Sequence, residues 1–293
     1  MSDITCFGEV LWDEFPEHKK IGGAPLNVGI RLNSFGNNVS VISRIGADAD
    51  GRGIYEYIKE NGINGNGLQV DDTLKTGTVK VVLNSKGSAS YDIMFPRAWD
   101  QIELSSIAQK TVKDSDAFIY GSLVARNEKS KETLYELLKI ASYKIFDVNL
   151  REPYYTKEIL EYLMHRADFV KFNDDEIYEI SEMLGSKSIS LEHTIQFMAE
   201  STNTDTICVT KGKHGAVLYI KGVFYHNSGY HIEVVDTVGA GDSFLAGLVD
   251  KLLKKENPQE AIDFACAIGA IVASKAGANP EISQEEVMVM MTS

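Results

Sequence analysis

Residues 143–172 read YKIFDVNLREPYYTKEILEYLMHRADFVKF. Two short strand-like runs, YKIFDVN and ADFVKF, flank an amphipathic segment with helical spacing. The same alternation extends outward, through DAFIYGS at 116–122 and VSVISRI at 39–45 on one side and DTICVT at 205–210 on the other. Strands that alternate with amphipathic helices imply a parallel sheet covered by helices, so the pattern predicts an α/β fold. Thr78 to Phe95 breaks the rhythm. TVKVVLN, a turn at SKG and SASYDIMF read as a β-hairpin with no helix between its strands, which makes it an antiparallel flap on an α/β body.

The 293 residues are 44% hydrophobic and 24% charged, enough for one large α/β domain or two ordinary ones. No linker, low-complexity tract or internal repeat interrupts them, so a single domain over 1–293 is expected. The net charge of -13 disfavours nucleic acid or an anionic membrane as a partner, because both require a basic surface. A phosphate-bearing ligand would then need local cations or Mg2+. Cys6, Cys208 and Cys266 are odd in number, widely spaced and set in apolar segments, as expected of reduced core thiols. The start, MSDITCFGEV, enters a strand pattern directly, and no later run has the apolar length of a membrane span. A cytoplasmic location is expected.

Residues 236–244, DTVGAGDSF, hold an acid and two glycines just before Phe244, Leu245, Leu248, Leu252 and Leu253 recur at helical spacing. Asp242 could simply cap this helix. Alternatively, the free N–H groups of the helix start bind a phosphate while Asp242 removes a proton beside it. The apolar pattern PQEAIDFACAIGAIVASKAG that follows exits in AGANPEI. If the helices on either side of 255–258 pair antiparallel, Gly277, Asn279 and Pro280 lie near the Gly239 loop.

Elimination favours the chemical reading. A dinucleotide fingerprint would need a glycine where Phe244 stands, and the Gly-Lys-Ser/Thr phosphate loop of nucleotide hydrolases does not occur. The histidines, at 18, 165, 193, 214, 226 and 231, lack metal-site spacing, and no glycine-flanked serine elbow is present. What remains is a series of polar residues at the carboxyl ends of strands, where open α/β sheets bind ligands. Asp13 follows the first strand, and GGAPLN at 22–27 opens the first helix with Gly22 and Gly23 and offers the amide of Asn27. DVNLR at 147–151 sets Asp147, Asn149 and Arg151 on alternate positions at the end of a strand, so their side chains share one side, as suits a polar pocket. In NDDE at 173–176, Asn173 and Glu176 stand one helical turn apart. Glu176 could reach Mg2+ through water while Asn173 meets a phosphate oxygen, or the acids could merely favour a helix start. TKGKHG at 210–215 supplies a glycine-rich turn after a strand.

The ordered set GGAPLN, GADADG, DVNLR, NDDE, TKGKHG and DTVGAGDSF resembles the ribokinase-like family of carbohydrate kinases, most closely its bacterial fructokinases. The resemblance spans essentially the whole chain. It implies a doubly wound α/β sandwich with a small β-sheet lid, here built from about 11–22 and 74–98, and it implies ATP and Mg2+ as cofactors. Asp242 would be the catalytic base, and Gly239, Ala240 and Gly241 the backbone anion hole for the transferred phosphate. Asn173 and Glu176 would match the phosphate and Mg2+ motif, with Asp147 assisting from the outer shell of the metal. Thr210, Gly212 and Asn279 would serve the nucleotide. Asp13, Gly22, Gly23 and Asn27 would serve the sugar, with Arg97 and Arg151 matching substrate-facing arginines.

Two positions depart from the family pattern. Arg97 is followed by Ala-Trp-Asp where fructokinases usually have serine-alanine-aspartate, so Trp99 leaves the identity of the sugar open. Relatives can bind K+ beside the anion hole, partly through a small polar residue after a proline, and here Glu281 follows Pro280. The reading is an ATP-dependent sugar kinase acting on a primary hydroxyl, with D-fructose as the first substrate. Ribose, 2-keto-3-deoxygluconate and a nucleoside are alternatives on the same fold; Trp99 and Tyr91 are the lid aromatics a nucleoside would use. A non-catalytic sugar sensor is the alternative from a different class. The exposed lid edges also suggest a homodimer formed through the lid.

Overall fold

The computed structural model describes residues 1–83 and 89–292, with the side chains of 81–83 and 89–91 left aside. The SKG turn and the side chain of Tyr91 therefore lie outside the described residues. The chain divides into two compact units, Asp3–Ser142 and Tyr143–Ser293.

In the first unit, β1 (Asp3–Phe7) leads into a short hairpin of β2 (Leu11–Glu14) and β3 (Lys19–Gly22), and then into α1 (Ala24–Ser34). Next come β4 (Asn38–Gly46), α2 (Ala49–Glu60) and β5 (Asn64–Asp71), followed by β6 (Gly77–Leu83) and β7 (Ala89–Ile93). A 3-10 turn at Ala98–Gln101, α3 (Ser106–Asp114), β8 (Ala117–Gly121), a second 3-10 turn at Leu123–Arg126 and α4 (Glu128–Leu138) complete it. β8, β1, β4 and β5 lie side by side in that order, all parallel. Ile4, Cys6, Phe7, Val41, Ile42, Phe118 and Tyr120 are buried along these strands, which is why the runs read as nearly continuously apolar. Asp48 caps α2, accepting from Gly51 N–H at 2.7 Å.

A separate four-stranded sheet in the order β3-β2-β6-β7 forms the expected lid. β6 and β7 pair antiparallel, with Val79 opposite Ile93, as the hairpin reading required. β2 joins them in parallel, with Asp13 opposite Val79.

The second unit opens with the stretch quoted at the outset. β9 (Lys144–Asp147), α5 (Lys157–Arg166) and β10 (Phe169–Asn173) form the anticipated parallel unit, with Ile145 opposite Phe169. α6 (Asp174–Met183) and α7 (Leu191–Thr202) lead to β11 (Thr206–Thr210), parallel to β10. The antiparallel strands β12 (Ala216–Ile220) and β13 (Val223–Asn227) extend this sheet. α8 (Ala240–Leu253), α9 (Pro258–Ala273) and α10 (Gln284–Thr292) finish the unit. α9, apolar nearly all round, is buried along Ala261, Ile262, Ala265, Ala267, Ile268 and Val272. Among the described residues, no helix is long and apolar enough to cross a membrane.

Candidate active site

In the second unit, the residues expected to serve phosphate lie at the carboxyl ends of β9, β10 and β11 and at the start of α8. α6 begins with a reciprocal capping box. Glu176 N–H donates to Asn173 Oδ1 and Asn173 N–H donates to Glu176 Oε2, both at 2.8 Å. Glu176 Oε1 accepts from Leu150 N–H at 2.9 Å, which ties the end of DVNLR to the same carboxylate. Burial pushes the Glu176 carboxyl above the ordinary glutamate range, against the lowering effect of Lys171 and of these backbone donors.

Beside it, Asp147 ends β9 and Lys171 lies within β10, paired at 2.9 Å from Lys171 Nζ to Asp147 Oδ1. Both are buried, at 4% and 7% exposure. Burial alone would lower the Lys171 ammonium. The carboxylates of Asp147, Glu176 and Asp242 outweigh it and hold the group above the ordinary lysine range.

The loop before α8 is fixed from outside the helix. Gly239 adopts φ 75°, and a Cβ on it would lie 2.6 Å from the Cα and carbonyl oxygen of Ala278, so this position needs glycine on both counts. Asp236 braces the same loop. Its Oδ1 accepts from Val238 N–H and its Oδ2 from Gly277 N–H, each at 3.0 Å. The 277–280 loop therefore does lie beside Gly239, as antiparallel pairing of α8 and α9 implied. The first bond inside α8 runs from Ser243 N–H to Gly239 O at 2.8 Å. Ala240 N–H points back to Thr237 O at 3.2 Å, so a turn already engages one of the three expected anion-hole positions. Gly241 is exposed and Asp242 half-buried in the first turn. Thr210, half-buried, ends β11 and donates to Phe172 O at 3.4 Å; Gly212 is exposed, with open space where a Cβ would stand.

Two expectations need correction. Asp147, Asn149 and Arg151 do not alternate along one strand, because β9 ends at Asp147 and Asn149 turns the chain with φ 41°. Arg151 is consequently exposed and donates to its neighbour, the Leu150 carbonyl, at 2.8 Å. Trp99 is not a pocket aromatic: it is 1% exposed, with the Arg126 guanidinium 3.9 Å over its ring.

That arginine organises the corner of the first unit around Arg97, one of the residues expected to serve the sugar. Arg126 Nε and Nη2 donate to Asp100 at 2.7 and 2.8 Å, and Nη2 also reaches Met94 O at 2.8 Å. Asp100 in turn accepts from Arg97 N–H at 2.7 Å, which fixes the backbone from which the Arg97 side chain leaves. Also in this unit, Asp13 Oδ2 packs against Gly22 so closely that a Cβ there would collide with it. Gly23, with φ 108°, is the residue before α1, and Asn27 is buried on that helix.

Sequence reasoning missed Lys171, Asp236, Asp100 and Arg126. A visible signal existed for the first: a lone lysine inside the apolar run ADFVKF demands a buried partner.

The residues fit a hydrated divalent ion. Asp147 Oδ2 is buried without a hydrogen-bond partner, an orphaned oxygen that an ion's bound water would satisfy. Among the described residues, no cluster of three or more His, Cys, Asp or Glu side chains could hold a metal directly. An ion that arrives on a nucleotide suits this donor set better than a dedicated protein cage.

The second unit thus carries a glycine-led helix start with an acid in its first turn, and the first unit a separate four-stranded sheet. The chain belongs to the pfkB family of carbohydrate kinases, whose family model matches residues 3–285. It is 29% identical to probable fructokinase-7 of Arabidopsis thaliana, over 99% of this chain and 92% of the relative. It is 28% identical to fructokinase-2 of Solanum lycopersicum, over 95% and 92%. An uncharacterized sugar kinase of Pyrococcus horikoshii superposes with TM-score 0.84 at 25% identity, covering 98% of this chain and 99% of that one. A Vibrio cholerae fructokinase, solved with fructose, ADP and calcium ion, shares the fold with TM-score 0.84 at 23% identity, covering 99% of each chain.

Proposed function

We propose that this carbohydrate kinase is an ATP-dependent fructokinase that converts D-fructose to fructose 6-phosphate. The observation that carries the reading is the start of α8, where Gly239 and Gly241 bring backbone N–H groups to the surface beside the Asp242 carboxylate. Phosphoryl transfer asks mainly for positioning and charge stabilisation, and this corner offers both within four residues. Asp242 takes the proton of the primary hydroxyl. The hydroxyl oxygen then bonds to the γ-phosphorus as the bond from that phosphorus to the β–γ bridging oxygen breaks, and ADP leaves. The N–H groups of Gly239, Ala240 and Gly241 hold the charge on the transferred phosphoryl group, with Gly241 contributing most because Ala240 N–H is shared with Thr237. Asn173 presents its side-chain amide to phosphate oxygens. Asp147 and Glu176 would hold Mg2+ through water; when bound, the ion neutralises charge on the β- and γ-phosphate oxygens. Thr210, Gly212 and Asn279 serve the nucleotide. Asp13, Gly22, Gly23, Asn27, Arg97 and Arg151 serve the sugar, and the lid excludes water from it. The curated relatives named fructokinase support this choice of sugar. The burial of Trp99 weighs against a nucleoside, which would need an exposed aromatic surface.

The test is ADP release from Mg-ATP with fructose, ribose, 2-keto-3-deoxygluconate, glucose and adenosine, in K+ and in Na+ buffers. Turnover on fructose alone supports the proposal, and turnover on another substrate moves the sugar assignment. Silence across the panel favours a sugar sensor. A higher rate in K+ than in Na+ would add a monovalent-cation site to the proposal. Light scattering at micromolar concentration tests the lid-paired homodimer, and a monomer there would count against it.

A further inference from the structure

Lys171 is a buried charge that the proposed reaction leaves without a task. It lies within the parallel strand β10, one of the least hospitable places for an ammonium, and is 7% exposed. Its Nζ donates to Asp147 Oδ1 at 2.9 Å. It also lies directly under the start of α8, since a Cβ built on Gly241 would be 3.7 Å from Nζ. One cation thus pairs with the acid at the end of β9 and sits within van der Waals distance of where a side chain on Gly241 would begin.

We propose, resting on the kinase reading above, that Lys171 is a positioning residue for phosphoryl transfer: its ammonium holds Asp147 and lends fixed positive charge to the Gly241 end of the anion hole. Three observations support the role. If neutralising Asp147 were its sole function, Asp147 would be expected to be fully satisfied; instead Asp147 Oδ2 stays buried and unpartnered, so the ion pair leaves one oxygen available to a ligand. A structural ion pair is also seldom a stabilising choice, because apolar residues of similar volume often do as well. Finally, the backbone next to Nζ belongs to a glycine that is itself exposed, so a bound anion could approach to within a single peptide unit of the ammonium. Charge placed there before the reaction needs no reorganisation when the transition state forms.

The test compares Lys171→Met with wild type, and the double variant Lys171→Met/Asp147→Asn with Asp147→Asn alone. The double variant matters because Lys171→Met leaves a buried carboxylate unpaired and can fail to fold for that reason. Steady-state kinetics on the sugar identified by the panel are paired with calorimetry of ADP, and of ADP with aluminium fluoride as a mimic of the transferring phosphoryl group. Expected is a kcat of the double variant at least tenfold below that of Asp147→Asn, with sugar KM within threefold. Binding of the aluminium fluoride complex should weaken by a similar factor while ADP binding stays within threefold. Equal kcat and equal mimic binding in the double variant and in Asp147→Asn would overturn the proposal, since Lys171 would then act solely by neutralising Asp147. Failure of the kinase reading is separate: it would appear as wild type without turnover on any sugar.

Discussion

The two units hold their proposed site residues in different ways. Among the acids of the second unit, Glu176 and Asp236 are held by main-chain donors, Glu176 by Asn173 and Leu150 and Asp236 by Val238 and Gly277, while Asp147 is paired with the Lys171 side chain. On the sugar side, in the first unit, Arg97 is placed by a relay of side chains, with Arg126 holding Asp100 and Asp100 holding the Arg97 backbone. Main-chain donors are present whatever the neighbouring side chains are, whereas a relay changes with every residue in it. A fold arranged in this way can keep one phosphoryl-transfer chemistry while its substrate changes.

The largest effect that would break this comparison lies at Asp242. Asp242→Asn should lower kcat by about 10²-fold or more, the range of a lost general base, with sugar binding preserved. Steady-state kinetics together with calorimetric titration of the sugar check it. Retained turnover would remove the proposed general base and leave Asp242 as an acid of the first turn of α8, where the helix dipole favours it.

Next is the relay. Arg126 and Asp100 have 1% and 0% side-chain exposure, so Arg126→Met strands a buried carboxylate and should cost about 3 kcal/mol of stability. Denaturant unfolding reads that cost. The sugar KM should rise while the KM for ATP stays within twofold, because the relay ends on Arg97, proposed to serve the sugar, and touches none of the residues proposed for the nucleotide. Equal rises in both would mean that the distinction between the two units has no functional content.

A smaller effect comes from the core thiols that both units carry. Burial pushes Cys6 and Cys266 up to about 12 from the ordinary 9, and raises Cys208 as well. The folded state keeps these protons where the unfolded chain loses them. Their contribution is therefore intact below about pH 9, and stability declines as pH rises from there towards 12. Thermal melts across this range check it, and Cys6→Ala, which cannot ionise, should flatten part of the decline.

Much of this arrangement was legible in the sequence where local pattern and tertiary structure agree. The hairpin at 78–95 could be read because it lacks a helical segment, and it became β6 and β7. NDDE was read either as a helix start or as a ligand site, and its side chains do form a capping box. What stayed hidden depends on single dihedrals and on distant partners. DVNLR looks like a continuing strand until Asn149 takes a positive φ, which composition does not announce. Trp99 looks like a lid aromatic because its cover, Arg126, is remote in sequence and belongs to no recognised motif. Asp236 was quoted within DTVGAGDSF without a role, since its acceptor function depends on Gly277 arriving from beyond α9.

The smallest effect sharpens the comparison most, because it involves two arginines that the family pattern treats alike. Arg97 leaves a backbone pinned by Asp100, and its side chain is half-buried. Arg151 follows the Asn149 turn, is exposed, and donates to the neighbouring Leu150 carbonyl. An exposed guanidinium on a long side chain loses rotamer entropy when it orders on a ligand, and its charge is screened by solvent, so its net contribution is small. A half-buried one on a fixed backbone has less freedom to lose. Arg97→Ala should therefore raise the sugar KM by about tenfold, in line with a charged hydrogen bond worth about 1.5 kcal/mol. Arg151→Ala should change it by less than about threefold. If the order is reversed, the 149–151 turn orders onto the substrate, and Arg151 rather than Arg97 is the stronger sugar contact.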